Sequence, residues 1–259
     1  MKKLIMEEFK KLKASRLVVI LSIARIIIMI ITGFIQFESM KGWPIAPVAT
    51  MSFLPATYFF LYGIVVVKMV ASEFENYVVG DAIRAGVGRK QYFVAKCISI
   101  VIYTSVLELL MTLAVLLVPL VRDGIQNGIP VSLKYVGMFL LFYFIMVVLI
   151  CVMNSVAMLI SYACKHFGLA TAVIFVLFVI VDERLSSVLI DYVCGPLALI
   201  VRIIRRGIEG YNYYVLTGEF WIALIPSIII GVAAVVASYI IFMKTEFASL
   251  EEREVEEQQ

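Results

Sequence analysis

Long apolar runs alternate with short polar segments along most of this 259-residue chain. A helix needs roughly 20 apolar residues to cross a bilayer, and six runs reach or approach that length. They are Leu17–Ile35, Ile45–Ala71, Phe93–Val121, Tyr135–Ile160, Phe167–Val181 and Phe220–Phe242. The pattern predicts an all-α membrane protein with six transmembrane helices.

Composition supports this prediction, because 63% of the residues are hydrophobic and only 16% are charged. Soluble domains contain about half apolar and a quarter charged residues. No internal repeat or low-complexity linker divides residues 1–259, so we predict one multi-pass domain in the cell membrane. His166 is the only histidine, and the four cysteines have no metal-site spacing, so we expect no metal site.

Orientation follows from the distribution of lysine and arginine, which favour the cytoplasmic side of a membrane. If the amino terminus is in the cytoplasm, the cytoplasmic side holds 14 lysine and arginine residues and the outer side holds 7. We therefore expect both termini in the cytoplasm. Segment 1–16 is predicted to be a basic amphipathic helix on the membrane surface, with Ile5, Phe9 and Leu12 on one face, and segment 244–259 is an acidic tail.

The polar segment 72–92 separates the second and third apolar runs. Residues 74–85 are predicted to form a short helix with Val79 and Ile83 on one apolar edge. The sequence Gly-Val-Gly then breaks it, and a new helix begins at Arg89 with Gly88 at the N-cap. A short helix with an apolar edge and basic residues is a docking surface for a soluble partner. Alternatively, its basic residues only mark the cytoplasmic side.

These residues resemble the first cytoplasmic loop of ABC exporter permeases of the second class, especially small single-domain permeases of the bacitracin-resistance and lantibiotic-immunity type. The residues in register with that family are Glu75, Asn76, Ala82, Gly86, Val87, Arg89, Tyr92 and Lys96. The chain departs from the family pattern at Tyr77-Val78, where Gly-Thr is usual, and at Gly88, where Ser is usual.

The resemblance implies a coupling helix that transmits motion from an ABC ATPase subunit. The residues expected to carry this coupling are Glu75, Val79, Ile83, Arg84, Gly86, Gly88, Arg89 and Lys90. Val79 and Ile83 are expected to enter a groove of the ATPase, with the basic residues at its rim. ATP and Mg²⁺ would bind only to that partner, because this chain has no phosphate-binding loop of the Gly-x-x-x-x-Gly-Lys-Ser/Thr type and is not expected to be an enzyme.

The resemblance also implies a second permease copy or a sister permease, and an amphipathic or lipid-like cargo such as an antimicrobial peptide. Segment 185–218 is predicted to be an external or re-entrant helical cap between the last two spans. Its basic residues are Arg202, Arg205 and Arg206. The cap either closes the transport pathway or only holds the last two spans in place.

Two charges lie deep within predicted spans, Arg25 in the first and Glu108 in the third, whereas Lys68 lies near the inner end of its span and can reach the interface. Intramembrane charges are costly and mark functional positions by default. Here they form either a structural ion pair or a substrate contact.

Two other functional classes remain open: a non-transporting membrane sensor or immunity subunit, and a polytopic membrane enzyme. The absence of recognisable catalytic motifs argues against the enzyme. Beyond the partner proteins, we expect contact with membrane lipid and none with nucleic acid.

Overall fold

A computed structural model describes residues 1–39, 55–126, 136–181 and 218–245. Within these ranges the chain forms α-helices and no strands. The helices are α1 (Lys2–Ala14), α2 (Arg16–Ser39), α3 (Pro55–Glu75), α4 (Val78–Arg84), α5 (Arg89–Gln126), α6 (Val136–Cys164), α7 (Phe167–Val181) and α8 (Gly218–Lys244). The predicted all-α class is therefore confirmed for the described ranges.

Three helices in the described part of the chain are long and apolar enough to cross a membrane. The spanning segments are Arg89–Ala114 in α5, Val147–Cys164 in α6 and Ser227–Lys244 in α8. A shorter apolar segment, Phe167–Leu177, lies in α7. These helices identify a membrane protein, whereas the count of six spans stays a prediction. The predicted cap at 185–218, with its three arginines, and tail residues 246–259 lie outside the described residues.

Helix α6 lies at the centre of the described bundle and contacts α3, α5, α7 and α8. Its approach to α8 depends on Gly231, where an added Cβ would lie 3.0 Å from Val152 Cγ2 and 3.2 Å from Val152 Cα. Small residues at such crossings let membrane helices pack closely, which compensates for the weak hydrophobic force between helices in lipid.

An aromatic cluster closes the end of the bundle where α5 begins and α8 ends. Phe242 is completely buried, with its ring centroid 5.4 Å from that of Tyr162 and 5.8 Å from that of Phe93. Helix α1 packs against α5 and α2 at this end. Its Leu12 belongs to the same core, and Phe9 packs against it. The apolar face of α1 therefore contacts the protein core, and the position of this helix on the membrane surface stays a prediction.

Candidate functional site

The connection between α3 and α5 contains a helix break that the sequence analysis did not predict. The predicted helix over residues 74–85 is divided, because α3 continues to Glu75 and α4 begins at Val78. Tyr77 between them has φ 58°, in the left-handed region. Non-glycine residues rarely adopt this conformation.

The far end of α4 has the hydrogen bonds of a Schellman motif. Gly86 N–H donates to Ile83 O and Val87 N–H donates to Ala82 O, both at 3.1 Å. Gly86 has φ 92°, which glycine adopts without the steric cost that a side chain would add. Helix α5 then begins at Arg89, and Gly88 O accepts from the N–H of Tyr92 at 3.0 Å. The predicted helix start is confirmed.

The apolar edge of α4 faces the protein itself. Val79 is 1% exposed and belongs to the hydrophobic core, and the half-buried Ile83 packs against that core. Val79 is therefore not accessible to a partner groove in this conformation. The exposed residues of the connection are Glu75, Asn76, Asp81, Arg84, Ala85, Gly86, Gly88, Lys90 and Gln91. A partner that approaches α4 meets a polar surface.

Two residues assigned to coupling fasten this connection to other helices. Arg89 Nη1 donates to Met243 O at 2.8 Å and to Thr245 O at 3.0 Å, so it binds carbonyl groups at the end of α8. Glu75 Oε2 accepts from Phe167 N–H at 3.2 Å, at the first residue of α7. The residues on either side of α4 are thus held to α7 and α8.

A buried group of charged residues joins α1, α3 and α5 at the same end of the bundle. The side chain of Lys96 is 1% exposed and pairs with Glu8 and Glu73, whose side chains are 8% and 10% exposed. Lys96 Nζ donates to Glu73 Oε2 at 2.5 Å and also to Glu8 Oε2. Such burial is tolerated only when charges are paired and hydrogen-bonded.

Lys11 and Tyr92 complete this group. Lys11 Nζ donates to Glu73 Oε1 at 2.8 Å and to Glu8 Oε1 at 2.9 Å, and the Tyr92 hydroxyl donates to Glu73 Oε2. We call Glu8, Lys11, Glu73, Tyr92 and Lys96 the ion cluster. Two carboxylates face two ammonium groups in it, so the cluster has no net charge.

Electrostatics favours the charged forms of two members of the cluster, Glu73 and Lys11. Burial acts to raise the pKa of Glu73, but the Lys96 and Lys11 ammonium groups outweigh it and hold that pKa below its ordinary value of 4.5. Burial acts to lower the pKa of Lys11, and the Glu73 and Glu8 carboxylates outweigh it and raise that pKa above 10.5. Both shifts favour the charged forms that make the ion pairs.

The sequence analysis did not assign the ion cluster, although one signal for it was present. Glu8 lies three residues after Ile5 and four before Leu12, so it shares the apolar face of α1. An acidic residue on an apolar helix face needs a buried cationic partner. Lys96 was named only as one of the residues in register with the resembling family. Its partner Glu73 lies 23 residues earlier in the chain, so the sequence did not indicate that the two side chains meet.

The two charged residues within predicted spans come together through a tyrosine. Arg25 is 3% exposed and Glu108 is 1% exposed, and Tyr62, also 1% exposed, lies between them. Arg25 Cζ lies 3.5 Å from the Tyr62 ring centroid, and the Tyr62 hydroxyl donates to Glu108 Oε2 at 3.1 Å. From the sequence, these two charges form either a structural ion pair or a substrate contact, and Tyr62 was not assigned to the site. This arrangement links α2, α3 and α5 by a cation–π contact and a charge-assisted hydrogen bond.

No family model matches this chain, and no curated protein matches it significantly. Among the described residues, no group of three or more His, Cys, Asp or Glu side chains is arranged to hold a metal ion. Two features thus remain as candidate functional sites: the connection around α4 with its ion cluster, and the triad of Arg25, Tyr62 and Glu108.

Proposed function

We propose that this chain is the membrane-spanning subunit of an ATP-driven ABC exporter. It would have six spans, both termini in the cytoplasm, and a separate ATPase subunit that binds ATP and Mg²⁺. A second permease copy or a sister permease would complete the pathway. The cargo would be amphipathic or lipid-like, such as an antimicrobial peptide. The observation that carries the proposal is helix α4, which exposes one polar side and lies between residues that bind α7 and α8.

The contacts around α4 make it a mechanical link. Glu73 and Glu75 precede the helix in the chain, and Arg89 and Lys96 follow it. Through their partners, these residues connect the α4 region to α1, α7 and α8. The apolar edge of α4 is fixed in the core. A force applied to the exposed side of α4 would therefore displace several helices together.

The proposed contact surface of the ATPase is the exposed side of α4 and the start of α5. It contains Asp81, Arg84, Ala85 and Lys90. The side chains of Arg84 and Asp81 are 46% and 54% exposed and lie 3.9 Å apart, which leaves both accessible. Rim charges of this kind mainly affect association rate and specificity. Ala85 is small and exposed, so a larger side chain at this position would clash with a bound partner.

The test is co-purification of the chain with an ATPase subunit, followed by ATP turnover of the complex in nanodiscs. The captured subunit must contain a phosphate-binding loop, and its ATPase rate must change when the permease binds. We expect Arg84→Glu and Ala85→Trp each to reduce capture several-fold. Lys244→Glu is the matched control, because Lys244 is also exposed and lies where α8 ends.

Equal capture by wild type, Arg84→Glu and Ala85→Trp would show that α4 does not contact the partner. A complex that forms but moves no cargo, with an ATPase rate insensitive to the permease, would contradict the exporter. That result would favour the non-transporting sensor or immunity subunit. Thermal unfolding of each variant shows whether a loss of capture comes from a loss of fold.

A further inference from the structure

The outer face of α1 is a cluster of positive charge without an acidic counterpart of equal size. Its lysines are Lys2, Lys3, Lys10 and Lys13, all of them exposed. We call these four residues the basic face. Lys11 is not part of it, because its ammonium group binds Glu8 and Glu73 in the ion cluster. Glu7 is the only acidic residue exposed on this side of α1.

The opposite charge lies in the last residues of the same chain. Residues 246–259 contain six glutamates, Glu246, Glu251, Glu252, Glu254, Glu256 and Glu257, against the single Arg253. A run of like charges repels itself and is stabilised by a surface of opposite sign. The basic face has that sign.

The residue before this tail is held to the helix that also binds α1. Arg89 binds the carbonyl of Thr245, the residue that precedes the tail, and Lys96 on the same helix binds Glu8 of α1. Seven residues of helix separate these two contacts, which corresponds to about 10 Å along the axis. An extended chain covers about 3.3–3.6 Å per residue, so residues 246–259 reach up to roughly 45–50 Å. Length does not limit the contact.

We propose that the acidic tail, residues 246–259, docks on the basic face of α1. The contact is intramolecular because both groups belong to one chain, and covalent linkage gives an effective concentration of about millimolar. Electrostatic contacts that are weak between separate molecules are then populated. The inference does not depend on the proposed transport function, because it rests only on charge and on the position of Thr245 relative to α1.

Cross-linking in the full chain tests the contact. In a background without the four native cysteines, Lys10→Cys is combined with Glu254→Cys, and a short bis-maleimide is added to protein in nanodiscs that contain anionic lipid. The control pair is Lys90→Cys with Glu254→Cys. Lys90 is also exposed and basic, and it directly follows Arg89, which binds the carbonyl of Thr245 just before the tail.

We expect the Lys10 pair to cross-link several-fold faster than the Lys90 pair. The Debye length falls from about 10 Å at 0.1 M salt to about 3 Å at 1 M, so the advantage should disappear at high salt. It should also disappear when Glu251, Glu252, Glu256 and Glu257 are all replaced by glutamine. Equal rates for the two pairs, or a rate independent of salt, would overturn the proposal. A cross-link that forms in neutral nanodiscs and is absent in anionic ones would also overturn it, and would assign the basic face to lipid headgroups.

Discussion

Replacing Lys96 by methionine gives the sharpest test of the ion cluster. The side chain is 1% exposed and pairs with two buried carboxylates. After Lys96→Met, Glu8 and Glu73 share only Lys11, so one negative charge is left uncompensated. Removing one partner of a buried pair typically costs about 3–5 kcal/mol. Methionine retains much of the length of the lysine stem, so most of this loss is electrostatic.

The same reasoning predicts a rescue. In Lys96→Met with Glu8→Gln, the remaining carboxylate of Glu73 still has Lys11 at 2.8 Å, and the charges balance again. Replacing a buried ion pair by neutral groups is often nearly neutral for stability. The double variant should therefore be more stable than Lys96→Met alone, with a coupling free energy of about 0.5–3 kcal/mol.

Thermal and denaturant unfolding of the purified chain measure both effects. For chains near this size, 1 kcal/mol shifts Tm by about 2–4 °C, so Lys96→Met should lower Tm by roughly 6–20 °C. The control is Lys90→Met, an exposed position on the same helix, which should stay within about 0.5 kcal/mol of wild type. If Lys96→Met matches Lys90→Met, or if Glu8→Gln adds to the loss, the charge argument is refuted.

Three further predictions concern the loop, the intramembrane triad and pH. Gly86→Ser should cost about 1–2 kcal/mol at its positive φ, whereas Gly88→Ser should stabilise the N-cap by a few tenths; equal unfolding midpoints would contradict this. Tyr62→Phe keeps the ring on the guanidinium but loses the hydrogen bond to the carboxylate, so it should destabilise less than Tyr62→Leu; equal losses would exclude a cation–π contribution. The stabilisation from Glu73 should be present above pH 4.5 and be lost as the pH falls through its lowered pKa. The stabilisation from Lys11 should be present below pH 10.5 and be lost as the pH rises through its raised pKa. A Tm that stays constant at both the acidic and the alkaline ends would contradict both.

Hydrophobic runs predicted the helices of this chain well, because length and apolarity decide membrane insertion with little help from tertiary contacts. The start of α5 at Arg89 was predicted from the Gly-Val-Gly break and from Gly88 at the N-cap, and the structure confirms it. The break at Tyr77 was not, because its left-handed φ is imposed by the surrounding structure on a residue that does not favour it. Local sequence carries no signal for such a position unless glycine occupies it.

The sequence also did not predict what the apolar edge of α4 contacts. Val79 and Ile83 lie four residues apart on one side of a helix, and this spacing shows that they share a face. It does not show what the face contacts. In the structure the face contacts the chain's own core. The same limit applied to α1, whose apolar side covers α5 and α2.

The pairing within the ion cluster explains how a buried charge group can join α1 to the rest of the protein. Glu8 and Lys11 both belong to α1 and bond to each other at 2.9 Å, whereas Glu73 and Lys96 belong to α3 and α5 and bond at 2.5 Å. Each half is therefore neutral by itself. Separating α1 from the bundle would break the contacts between the halves without leaving a net charge on either half. Water would reach the half-exposed Lys11 more easily than the buried Lys96. A single substitution such as Lys96→Met removes this balance, which is why it should cost more than loss of one ordinary helix contact. The cluster thus fixes α1 in one register on the two helices that flank α4, and it does so with charges that remain compensated if that contact opens.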